Sequence, residues 1–158
     1  MTRDDLLESA QHLVQPPEKA VDEFSRKREE MTAGVNISMA ARQDLATLVG
    51  SGGKPMSEDN NRNFSLFMAS IMTHYDPQVL VETVLWVFRT YRSHGFQPDY
   101  WSANLDTWLD TLQHSLSKEA FHAVSPFYAW LRSNISAFVG LTDHIGRHPG
   151  ETKRKGLN

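Results

Sequence analysis

Apolar residues recur every three or four positions through the middle and second half of this chain. Ser57 can cap a helix whose apolar side is Phe64, Phe67-Met68, Ile71 and Tyr75. Asp76-Pro77 supplies a cap and a first-turn proline for a second helix with a broad apolar face of Leu80, Val81, Val84, Leu85, Phe88 and Tyr91. His94-Gly95 closes that helix, and Pro98-Asp99 opens a third with Trp101, Leu105, Trp108-Leu109, Leu112 and Leu116 on one side. Ser117-Lys118-Glu119 begins a fourth, faced by Ala120, Val124, Phe127, Trp130-Leu131, Ile135 and Phe138. Pro126 falls inside it and is expected to bend or divide it, because it lacks the donor that a helix interior needs. The pattern predicts an all-α core over residues 57–141.

Periodicity is thinner before Ser57. A short, partly apolar stretch runs from Asp4 to Val14, and Pro16-Pro17 followed by Glu18 reads as a helix start. The helix to about Met31 has only Ala20, Val21, Phe24 and Met31 as apolar contacts, which predicts a largely solvated arm. Another short helix is expected from Ser38 to Val49, ending at Gly50-Ser51-Gly52-Gly53-Lys54-Pro55. Those glycines do not make a phosphate loop, since no strand precedes them and Pro55 stands where Ser or Thr should open the helix. The expected organisation is an N-terminal helical extension over 1–36, a core over 37–145 continuous with it, and a tail over 146–158.

A chain of 158 residues with 40% apolar residues can bury a core without staples. The absence of cysteine excludes disulfides, thiolate chemistry and Cys-ligated metal centres. A formal net charge of −3 gives no general attraction to phosphate backbones, so no nucleic-acid partner is expected, and Lys153-Arg154-Lys155 belongs to the tail. No apolar run is long enough for a signal or a membrane span, which leads to the expectation of a cytoplasmic protein without a membrane partner.

Seven histidines are dispersed. Only His144 and His148 have the i, i+4 spacing of a metal pair, and Gly146 and Pro149 argue against a helix there. No metal site is expected. Asp59, Asp76, Glu82, His74, Arg89 and Arg92 show no spacing that aims two groups at one substrate atom, so catalysis is not expected; a small helical enzyme without a recognisable motif is the last alternative. Asn60-Asn61-Arg62-Asn63 reads as capping and solvation, with ligand or partner contact as the alternative. Asn134 is a candidate for a polar contact between helices or for a water-facing position.

The segment Tyr91-Arg92-Ser93-His94-Gly95-Phe96-Gln97-Pro98-Asp99-Tyr100-Trp101 resembles the junction of the F and G helices in sensor globins, the haem-containing globin domains of bacterial signalling proteins. Gly95, Phe96, Pro98, Tyr100 and Trp101 carry the likeness, which extends loosely over residues 57–141 as an E, F, G and H helix order. That family places its haem-ligating histidine four residues before the glycine, where this chain has Tyr91. The resemblance therefore implies a globin-like fold nearer to the haem-free sensor and scaffold domains of stressosome proteins. It implies a regulatory or sensory role, with a homodimer and a separate signalling protein as partners. An apolar small-ligand pocket is expected at Phe64, Phe67, Met68, Phe88 and Tyr91, and a helical interface at Trp101, Trp108, Tyr128 and Trp130. The alternative is a haem protein that senses or carries a diatomic gas, with Tyr91 or His94 as iron ligand.

Overall fold

In a computed structural model, residues 1–143 are described; the expected tail, its basic cluster and the His144/His148 pair lie outside them. Among the described residues the chain is all-helical: α1 (Arg3–Ala10), α2 (Glu18–Ala40), α3 (Leu45–Val49), α4 (Gly53–Thr73), α5 (Pro77–Ser93), α6 (Pro98–Ser115), α7 (Lys118–Ser133) and α8 (Ile135–Leu141). None of these helices is long and apolar enough to cross a membrane.

The punctuation in the second half acts as the sequence requires. Asp76 Oδ1 accepts the amides of Gln78 at 2.9 Å and Val79 at 3.4 Å, and Ser117 Oγ accepts that of Ala120 at 3.2 Å. At the end of α5, Gly95 turns left-handed at φ +97°, and the amides of Gly95 and Phe96 donate back to the carbonyls of Arg92 and Tyr91. This pair of bonds closes the last turn and satisfies two carbonyls that the helix leaves free. Gln97 N then donates to the Leu48 carbonyl at 2.8 Å, which fastens the turn to α3.

The front of the chain differs from expectation. α2 is not an arm but the spine of the domain, packed against α4, α6 and α7, and it runs through residue 36 without a break. Phe24, Met31, Val35 and Met39 are buried along one side of it, with Thr32. A narrow stripe at helical spacing is enough when three helices close on it. α1 is held as well: Leu6 and Ala10 are fully buried, Tyr75 Oη donates to the Ala10 carbonyl, and Trp130 Nε1 donates to Ser9 Oγ at 2.7 Å. α4 begins at Gly53 rather than Ser57, with Pro55 in its first turn, where a missing donor leaves no bond unmade. Pro126 does not divide α7; it lies on an exposed face, and the break comes at Asn134, between α7 and α8. There the buried Asn134 amide donates to its own helix, at the Trp130 carbonyl, 2.8 Å away.

Two glycines separate space from conformation. A Cβ on Gly53 would lie 2.8 Å from Val49 Cβ, whereas one on Gly34, inside α2, meets nothing within 4 Å. Gly53→Ala is expected to destabilise by about 1–3 kcal/mol through overpacking. Gly34→Ala should stabilise by about 0.5–1 kcal/mol through helix propensity. Urea unfolding of both variants checks the opposite signs.

Candidate functional site

α5 packs against α1 and α8 and makes little backbone contact with α4 or α6. The gap so left is a cavity of about 270 Å³. α4 lines it with Met56, Asn60, Asn63, Phe64 and Phe67. α5 contributes Thr83, Val84, Trp86, Val87, Phe88, Thr90 and Tyr91, while Trp101, Asn104 and Leu105 from α6 and Leu131 from α7 form the inner wall. No lysine, arginine, histidine or carboxylate is among them.

Of the five expected pocket residues, Phe64, Phe67, Phe88 and Tyr91 lie together on this cavity. Met68 does not line it; it is fully buried in the core on another side of α4. Phe88 stacks on Trp101 with centroids 4.5 Å apart, and Tyr91 meets the same indole edge-on at 5.9 Å. The inner wall is thereby rigid, while the outer edge is formed by Trp86, 61% exposed.

The four aromatics expected at an interface are instead inside the single chain. Trp108 and Tyr128 are fully buried, and Trp101 and Trp130 nearly so. They pack on Phe64, Phe88 and Phe138, since α6 and α7 face each other and α2 covers them. They present almost no outer surface to a second copy of the chain.

The polar run Asn60-Asn61-Arg62-Asn63 falls in the middle of α4 rather than at its opening, and its members divide in two. Arg62 and Asn63 are exposed, and Arg62 pairs with Asp59. Asn60 and Asn61 are buried, as is Ser57, which is not a cap. Asn61 Oδ1 accepts Asn104 Nδ2 at 2.9 Å and Trp108 Nε1 at 3.0 Å, and Asn61 Nδ2 donates to Asn36 Oδ1 at 2.8 Å. Ser57 Oγ shares a hydrogen bond with Tyr100 Oη at 2.8 Å, and Asn60 Nδ2 donates to the same oxygen at 3.3 Å. The spacing of Ser57, Asn61, Ser65 and Met68 carried this signal, had polar residues been allowed onto the buried stripe. Among the described residues, three buried side-chain polar atoms have no partner: Trp101 Nε1, Asn104 Oδ1 and Tyr128 Oη.

Haem does not fit these residues. His94 is exposed beyond the end of α5 and does not line the cavity. Tyr91 does, but burial, aided by the charge of Asp59, raises its phenol pKa and so opposes the phenolate that iron would need. The volume is below the range of about 300–1,000 Å³ usual for drug-sized ligands, and no cation is present to meet propionates.

The acids and bases weighed for catalysis do not converge. Asp76 caps α5, Glu82 pairs with Arg3, and Arg92 holds the Val139 carbonyl, Thr142 and Asp143. His74 and Arg89 are exposed. Among the described residues no three His, Asp or Glu side chains are grouped to hold a metal ion. No protein-family model, curated protein or solved structure matches this chain.

Proposed function

We propose that this chain is a haem-free, globin-like regulatory domain that takes a small apolar ligand between α4 and α5 and signals through contact with a separate protein. The apolar cavity beside Tyr91 is the observation that carries this reading. It adjoins the position that the sensor-globin resemblance assigns to the iron ligand, and its aromatic lining suits an uncharged hydrocarbon surface. Trp86 links pocket to surface, because its side chain both lines the cavity and faces solvent. An occupant that moves Trp86 changes what α5 presents to a partner, including Val79 on the same face two turns away. Self-association, if it accompanies signalling, uses this exposed face rather than the buried aromatics.

Tetralin, a bicyclic hydrocarbon, is the appropriate first probe. At about a hundredfold excess over its Kd, a ligand specific to the folded state adds about 2.7 kcal/mol. The expected rise in Tm is roughly 5–10 °C. Val87→Phe, which fills the cavity, should abolish the rise while leaving a cooperative unfolding transition. A Tm and tryptophan fluorescence that do not respond to saturating tetralin would remove the ligand-binding reading.

A further inference from the structure

The cavity has a direction as well as a size. On α4, Met56, Asn60 and Phe67 line it at positions i, i+4 and i+11, and on α5 Thr83, Val87 and Tyr91 line it at i, i+4 and i+8. Each set is one face of its helix, so the space follows the helix axes instead of sitting at a single crossing point. The turn between α4 and α5 sends α5 back along α4, and the charge of Asp59 reaches Tyr91. Tyr91 therefore stands at the Met56 end and Thr83 at the Phe67 end. At about 1.5 Å per residue the shorter set, Thr83 to Tyr91, covers about 12 Å. A volume of about 270 Å³ spread over that length leaves a mean cross-section of about 20 Å². One extended hydrocarbon chain has that girth. A peptide helix, about 10 Å across, is far too wide, and a cage hydrocarbon is also too wide.

We infer that the ligand of this cavity carries an unbranched alkyl chain of about ten carbons, laid lengthwise between α4 and α5, on an uncharged head. This rests on the reading of the cavity as a ligand site and narrows it, since tetralin fills only part of such a slot. The chain length follows from the span, because an extended chain advances about 1.25 Å per carbon–carbon bond. The head is uncharged because no lysine, arginine or histidine lines the slot to meet an anion, and no carboxylate lines it to meet a cation.

The straight-chain primary alcohols from hexanol to dodecanol test the length, and 1-adamantanol, a cage with the carbon count of 1-decanol, tests the shape. With the unmodified protein, titration followed by tryptophan fluorescence should show affinity rising about three- to fourfold per methylene and levelling off near ten carbons. 1-Decanol should bind at least about tenfold more tightly than 1-adamantanol, and several-fold more tightly than decanoate at pH 8. Thr83→Phe, which closes one end, should move the break to a chain about three carbons shorter. An affinity that stops rising before nonanol, keeps rising through dodecanol or is matched by 1-adamantanol would overturn the slot, as would a break unmoved by Thr83→Phe. Decanoate binding as tightly as 1-decanol would overturn the uncharged head. Saturable binding by none of these compounds would overturn the cavity reading itself. Should Thr83→Phe not fold, the series on the unmodified protein decides the matter.

Discussion

Asn61→Leu is expected to destabilise the fold by about 3–5 kcal/mol, more than any other single polar substitution in α4. The side chain is fully buried, and its oxygen is the shared acceptor for Asn104 Nδ2 and Trp108 Nε1. Leucine is close in size, so the loss comes from stranding two donors where water does not reach rather than from an opened cavity. Each stranded donor costs about 1–3 kcal/mol, and Asn36 loses its partner as well. The fall in Tm should be roughly 10–15 °C. Arg62→Ala, one residue along but exposed and paired only with Asp59, should change stability by no more than about 0.5 kcal/mol. Combining Asn61→Leu with Trp108→Phe removes one stranded donor together with its acceptor. The double variant should therefore be less unstable than the sum of the singles by about 1–2 kcal/mol. Strict additivity would mean that Asn61 does not act through the indole.

That hub marks the limit of what the sequence discloses. Caps and helix ends are local chemistry: Asp76-Pro77, Gly95, Pro98 and Ser117 carry their conformations in their own residue types, and the structure places each as expected. Four pocket residues were legible because α4 and α5 point their aromatics toward a common space at helical spacing. What a residue packs against is a nonlocal property. The narrow stripe on α2 looked too sparse for a core helix, yet α4, α6 and α7 all converge on it. Trp108 and Tyr128 looked like interface aromatics because nothing in their own helices indicates that α2 and α4 supply Phe24 and Phe64 to cover them. Asn61 was unreadable for a related reason. A buried amide and a solvated one have the same local sequence signature, and only partners distant along the chain, Asn104 and Trp108, tell them apart.

The second large effect is alkaline. Burial raises the phenol of Tyr100 from 10.0 to about 12, against the opposing hydrogen bonds of Ser57 and Asn60, and pushes that of Tyr128 well above its ordinary value. Because the fold holds these phenols neutral, the unfolded chain releases its protons first. Their contribution is complete below about pH 10 and declines as pH rises toward the folded-state values. At pH 11 the two together should have forfeited on the order of 2–3 kcal/mol, which urea unfolding at pH 8 and pH 11 should report as lost stability. Tyr75, also raised to about 12, adds less because water screens its exposed side. Tyr128→Phe separates the causes. It removes a buried hydroxyl that has no partner, so it should stabilise at neutral pH by about 1 kcal/mol and also flatten the alkaline decline. Tyr100→Phe should flatten the decline too, but it breaks the bonds to Ser57 and Asn60 and so lowers stability at neutral pH. Stability unchanged between pH 9 and 11 would show that these phenols ionise freely in the folded state. It would also weaken the case that Tyr91 resists ionisation, since burial is the leading cause of its raised pKa too, and with it the reason for preferring an uncharged ligand to iron beside α5.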